Sequence, residues 1–157
     1  MEAPKGDAIE IDELCVRKKG SLWLWIARSR RTGQVLAAVL GDRSWAMLER
    51  LWNLVPLSYR RKLVYTDTAT AGGLSGYGAY EAFFSAWQHR ITDKRDGRTS
   101  RVEGLNTLWR SRVSGLARRS CGVCVTRRQD VWERFQRVCA WHNRRCQLKM
   151  QSTTSDA

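Results

Sequence analysis

Apolar residues recur at every second position near the front of the chain and at every third or fourth position near the back. In residues 9–16 (IEIDELCV), Ile9 and Ile11 fall on one side of an extended chain and Glu10 and Asp12 on the other. That alternation predicts a strand with one core face and one polar face. Residues 17–21 (RKKGS) turn the chain, and residues 22–29 (LWLWIARS) and 34–40 (QVLAAVL) read as two further strands. Short turns between the three predict an antiparallel meander. Ser44 stands where it can cap a helix running to about Leu54, with Trp45, Leu48 and Trp52 at helical spacing. Residues 63–66 (LVYT) form a fourth strand ended by Asp67. A helix between strands three and four is a crossover, which lets strand four run parallel to the sheet. A small-residue loop over 70–78, a helix over 79–87, a short strand over 89–92 and a polar loop over 93–98 follow.

The period then changes. In residues 99–120 (TSRVEGLNTLWRSRVSGLARRS), Val102, Leu105, Trp109, Val113 and Leu116 make one apolar helical stripe. Ser100 and Glu103 have the spacing of a capping box, so the helix is expected to start near Ser100. Arg101, Arg110, Arg112, Arg118 and Arg119 surround that single carboxylate. Glu103 therefore has two readings: a helix cap, or a catalytic acid held among phosphate-attracting arginines. A second basic amphipathic helix is expected over about 129–145, with Val131, Phe135, Val138 and His142 inward. Residues 1–8 read as a leader, 9–125 as the main domain, 126–149 as a basic helix packed on it, and 150–157 as a disordered tail.

This order of elements is that of a ribonuclease-H-like α/β domain: three antiparallel strands, then parallel strands, flanked by helices, with a basic helical C-terminus. In such a sheet the middle of strand one lies beside the end of strand four. Asp12 and Asp67 would then be neighbours, and the helix carrying Glu103 would bring a third carboxylate across the sheet.

Charge sharpens the picture. The 157 residues carry a formal +13. Residues 90–149 hold 16 Lys/Arg against 5 Asp/Glu, and residues 1–89 hold 12 against 9, so the excess is concentrated in the back. Such asymmetry points to a polyanionic partner rather than a small neutral substrate. The acidic start MEAPKGDAIEIDEL is not a signal peptide, and no apolar run approaches a membrane span. The 5 cysteines are then expected as free thiols in a reducing cytoplasm.

The stretches EIDELCVRKKGSLWLWIARSRRTGQVLAAVLGDRS, LVYTD and GRTSRVEGLNTLWRSRVSGLARRSCGVC resemble DDE-class insertion-sequence transposases of the insertion-sequence-one group. By that resemblance the family's two aspartates fall on Asp12 and Asp67, its glutamate on Glu103, and the following asparagine on Asn106. It implies metal-dependent DNA cleavage and 3′-hydroxyl strand transfer. Two Mg2+ (or Mn2+) ions would be held by Asp12, Asp67 and Glu103, with Asp12 bridging. The implied partners are DNA, both element ends and target, and further copies of the chain on it. The implied location is the bacterial cytoplasm, at the nucleoid. Two departures stand out. Thr68-Ala69 follow the second aspartate where the family has a short aromatic segment, and the small-residue loop over 70–78 reads as an insertion. The family's amino-terminal recognition region is also absent before residue 9, and is expected to come from an upstream reading frame.

Lys94, Arg98, Arg101, Asn106, Arg110 and Arg112 are the expected DNA contacts. Cys121, Cys124, Cys139 and His142, with Cys146, have zinc-like spacing. The face carrying Cys139, His142 and Cys146 is otherwise apolar, however, and the reading is of packed thiols without structural zinc. Asp42 reads as a turn residue, Glu10 as flanking the site, and Glu13 as pointing the other way. Three rival readings remain: an inactive partial transposase that binds DNA, a ribonuclease or junction nuclease of the same fold, and a zinc-dependent nucleic-acid-binding module.

Overall fold

Period-two strands must bury their apolar sides, and here they do so on both faces of one sheet. The computed structural model describes residues 2–16, 22–67, 79–92, 100–112 and 128–155. In chain order the elements are β1 (Ile9–Cys15), β2 (Trp23–Ser29), β3 (Val35–Gly41), α1 (Trp45–Leu54), β4 (Val64–Asp67), α2 (Ala79–Phe83), β5 (His89–Thr92), α3 (Ser100–Arg112) and α4 (Arg128–Ser155). The five strands lie in the order β3-β2-β1-β4-β5. β1, β2 and β3 pair antiparallel, whereas β4 runs parallel to β1 and β5 parallel to β4. This is the mixed sheet expected of a ribonuclease-H-like α/β fold. Among the described residues no helix is long and apolar enough to cross a membrane.

One face carries Ile9, Ile11, Trp25, Ala27, Ala37 and Val39 against α1 and α2, through Leu48, Leu51, Tyr80 and Phe84. The other carries Leu14, Leu24, Ile26 and Leu40 against α3 and α4, through Leu105, Trp109, Val131 and Phe135. The fully buried Trp25 indole donates to the Asp42 carbonyl at 2.9 Å, which fixes the turn from β3 into α1. The β2–β3 turn closes at Gly33, whose φ of 76° lies in the left-handed region that suits glycine.

β3 is an edge strand, and an uncovered edge is a template for unwanted pairing. Here α4 covers it. The Asn143 amide accepts from the Val35 N–H at 2.8 Å and donates to the Val35 carbonyl at 2.9 Å. His142 Nε2 bonds the Gly33 carbonyl at 3.0 Å, and Arg128 donates to the Leu40 carbonyl.

Several local expectations shift. Ser44 precedes α1, but its hydroxyl bonds Asp42 rather than a helix N–H. Leu51 joins Leu48 as a buried residue of α1, while Trp45 is 44% exposed. Pro56 ends α1 by holding Val55 extended. α2 stops at Phe83, short of Trp87, which is exposed. α4 runs on to Ser155 and takes in residues 150–155, where the sequence reads as a disordered tail. No glycine or proline interrupts Arg128–Ser155. The leader is also tied down, because Asp7 is 5% exposed and accepts bonds from the Ser29 and Tyr59 hydroxyls at 2.6 and 3.1 Å. The 70–78 loop lies outside the described residues.

Candidate active site

Two adjacent parallel strands set the geometry. Glu10 of β1 pairs with Tyr65 of β4. Asp12 lies two residues beyond Glu10, and Asp67 two residues beyond Tyr65. The paired residues end at Glu10 and Tyr65; with the register carried on at the usual strand spacing of about 4.8 Å, the two aspartate positions would be neighbours. Asp67 is the last residue of β4, where the ladder to β5 still pairs it with Thr92.

Asp12 is half-buried in the middle of β1, and its Oδ1 accepts the Glu13 N–H at 2.8 Å. It alternates with Glu10 and Leu14, so it belongs to the face that α3 and α4 cover. Glu103 lies in the first turn of α3, a helix anchored over this face by Leu105 and Trp109. The side chains of Asp67, Arg101, Glu103 and Asn106 lie outside the described residues, as do Lys94 and Arg98 entirely. Arg110 is half-buried and Arg112 exposed near the end of α3. The Arg112 guanidinium sits 5.0 Å over the Trp141 ring of α4, which Arg145 also approaches at 4.9 Å.

The acids on either side of Asp12 behave differently. Glu10 is 3% exposed and lies 2.9 Å from Arg30 and 3.9 Å from Arg28, on the Asp12 face. Glu13 turns to the opposite face, as expected, and meets Arg43 at 3.1 Å. Burial pushes the Glu13 carboxyl up to about 7, against the pull of Arg43 and reinforced by the charge of Asp12. Burial, then the charges of Glu13 and Asp12, push the nearby Tyr80 hydroxyl well above its usual range. On the far side of β4, Thr66 and His89 share a buried 2.8 Å bond, and Thr92 donates to the Thr66 carbonyl at 3.0 Å. These bonds fix the strand that ends in Asp67. Sequence reading left Asp7, Arg28, Arg30 and Arg43 without a role. Their signal was a charged residue inside or beside a strand, which alone does not reveal its partner.

A divalent cation of the magnesium type takes hard oxygen donors and keeps several waters. Two aspartate positions side by side in a sheet suit it, because paired carboxylates at that spacing repel without a positive charge between them. The cysteine cluster fits a metal less well. Cys146 Sγ lies 3.5 Å from His142 Nε2, which already faces the Gly33 carbonyl. Burial pushes the Cys139 thiol up to about 11. Among the described residues no three His, Cys, Asp or Glu side chains gather to hold a metal ion, and Cys121 and Cys124 lie outside them.

A family model described as IS1 transposase matches residues 9–138, from the first residue of β1 into α4. No curated protein matches the chain.

Proposed function

The chain belongs to the IS1 transposase family, and on that premise we propose that it cleaves DNA at the ends of an insertion sequence and joins the freed 3′-hydroxyl to target DNA. Asp12, Asp67 and Glu103 are the catalytic carboxylates, and they would hold two Mg2+ or Mn2+ ions. Bound there, the ions would activate the attacking oxygen and stabilise the leaving one in an in-line displacement. The observation that supports this reading is the parallel pairing of Ile9 with Val64 and Glu10 with Tyr65, a register that two residues further on would bring Asp12 and Asp67 level. The seating of α3 on the same face supports Glu103 as the third acid.

The protein's own residues do the remaining work. The Glu13 N–H engages Asp12 Oδ1 and limits the rotation of that carboxylate. The Thr66–His89 bond stiffens β4 directly before Asp67. Lys94, Arg98, Arg101, Asn106, Arg110 and Arg112 hold phosphates on either side of the cut. The active form is an oligomer on DNA. The enzyme works in the bacterial cytoplasm, at the nucleoid.

The test is nicking and strand transfer on element-end DNA in Mg2+ or Mn2+. Asp12→Asn, Asp67→Asn and Glu103→Gln are each expected to lower the rate at least about 100-fold, about 2.7 kcal/mol in barrier. The thermal midpoint and DNA affinity should change little. Wild-type rates in Glu103→Gln would return Glu103 to the role of a helix cap. DNA binding without any cleavage by the wild-type chain would favour the inactive partial transposase.

A further inference from the structure

At the end of the sheet where β1 and β4 begin, an open cleft of about 540 Å³ is lined by Arg30, Arg31, Arg61, Lys62 and Tyr65 together with residues 6–8. Its cations come from two separate connections: Arg30 and Arg31 follow β2, and Arg61 and Lys62 precede β4. The acids nearby are already engaged. Asp7 accepts from the Ser29 and Tyr59 hydroxyls and from the Ala8 and Arg31 N–H groups at 2.7 and 3.0 Å. Glu10 is held by Arg28 and Arg30. Among the described residues no ion pair engages Arg31, Arg61 or Lys62. The wall therefore carries a surplus of positive charge that the fold does not consume.

We propose that this cleft grips the phosphodiester backbone of the DNA strand leading to the catalytic acids. Two features favour a backbone over a free nucleotide. The cleft is open rather than a slot shaped for a base. Tyr65, the aromatic residue among its lining, has the Arg30 guanidinium 4.1 Å over its ring, so that face is not available for base stacking. Guanidinium and ammonium groups without a base platform read phosphates and not sequence. The position is also fitting. Ile9 pairs with Val64 at the cleft, and Asp12 and Asp67 each lie three residues further along. That is about 10 Å of strand at about 3.3 Å per residue, or about three nucleotides at 3.4 Å of helix axis each. Arg30 and Tyr65, partly exposed over buried Glu10, lie on the same sheet face as Asp12, which gives a strand of DNA a route from the cleft toward the acids. The direction of travel rests on the catalytic reading above; the phosphate grip does not.

The test compares Arg31→Gln/Arg61→Gln/Lys62→Gln with a charge-matched control, Arg50→Gln/Arg134→Gln/Arg137→Gln, whose residues are exposed on α1 and α4. Fluorescence anisotropy on an element-end duplex is read across a salt series. The cleft variant is expected to bind at least about 10-fold more weakly near 0.1 M salt, with the slope of log K against log salt reduced by about 2–3, near 0.9 per lost phosphate contact. The control is expected to shift by less than about 3-fold. Methylphosphonate substitution about three nucleotides from the cut should weaken the wild type and leave the cleft variant unaffected. Equal losses in both triple variants would mean diffuse charge and would overturn the proposal, as would an unchanged affinity in the cleft variant. Should the triple variant fail to fold, Lys62→Gln alone reads the same effect as a slope change of about 0.9. Loss of binding in the cleft variant alongside a wild type that never cuts DNA would refute the catalytic reading and leave the cleft standing.

Discussion

The two faces of the sheet are built from the same strands and serve different ends. Beneath α1 and α2, Trp25, Tyr59, Tyr80 and Phe84 close a mainly apolar cover, with the Glu13–Arg43 pair at its margin. Beneath α3 and α4 the apolar cluster of Leu14, Ile26, Val35 and Trp109 borders a charged group, Glu10, Arg28, Arg30 and half-buried Asp12. β1 feeds both faces by alternation, and its two consecutive acids show the consequence. Glu13 enters the closed face and is pushed up to about 7 by burial. Asp12 enters the face that α3 and α4 cover and is half-buried there, with its Oδ1 on the Glu13 N–H. One strand can thus supply a core on one side and charged groups on the other, because the buried Glu10 carboxylate is offset by Arg28 and Arg30.

The largest expected effect tests the closed face. Trp25→Ala should destabilise the protein by about 3–5 kcal/mol, read from the urea midpoint, because it empties a fully buried site and frees the β3–α1 turn. A loss no larger than that of a single edge contact would erase the distinction between the faces.

The next effect tests how α4 holds the other side. Asn143→Ala removes both partners of Val35 and should cost about 1–3 kcal/mol. Amide exchange should quicken at Val35 and not at Trp25. Equal quickening at both would mean that the edge and the closed face unfold as one unit.

The smallest effect concerns pH. Burial, followed by the charges of Arg28, Arg145 and Lys149, holds His142 below its ordinary 6.5, against the Gly33 hydrogen bond. The folded state then prefers the neutral ring, and the unfolded chain takes up its proton first as pH falls. Stability from this group is present above 6.5 and is lost as pH drops through the lowered value. His142→Gln should flatten the fall in urea midpoint between pH 7 and pH 5 while leaving the thermal midpoint at pH 8 little changed. An identical pH slope in both proteins would remove His142 as a contributor.

Strand identity was legible along the chain because period-two alternation in residues 9–16 and the β-rich runs after it admit few other structures. The Glu10/Asp12 against Ile9/Ile11 split was legible for the same reason. The charge asymmetry and the stretches shared with the transposase family were legible as well. Helix ends were less so. α4 outran its expected end because its later turns contain no stop signal, and Ser44 did not cap because Asp42 competes for its hydroxyl. Asp7 read as part of a leader, since nothing local announces that Ser29 and Tyr59, far along the chain, will bury it.

Local pattern decides which residues are extended, which helical, and which side of each is apolar, because those properties depend on neighbours within a few positions. It therefore specified β1, its acid at Asp12, the α3 stripe of Leu105 and Trp109, and the basic back half. Which strand lies beside which depends on long-range pairing, and only the folded chain decided that Glu10 would meet Tyr65, that Arg30 and Arg31 would face Arg61 and Lys62 across one cleft, and that Asn143 would complete the edge of β3. Those contacts join residues from 30 to 108 positions apart, and no period in the sequence reaches that far.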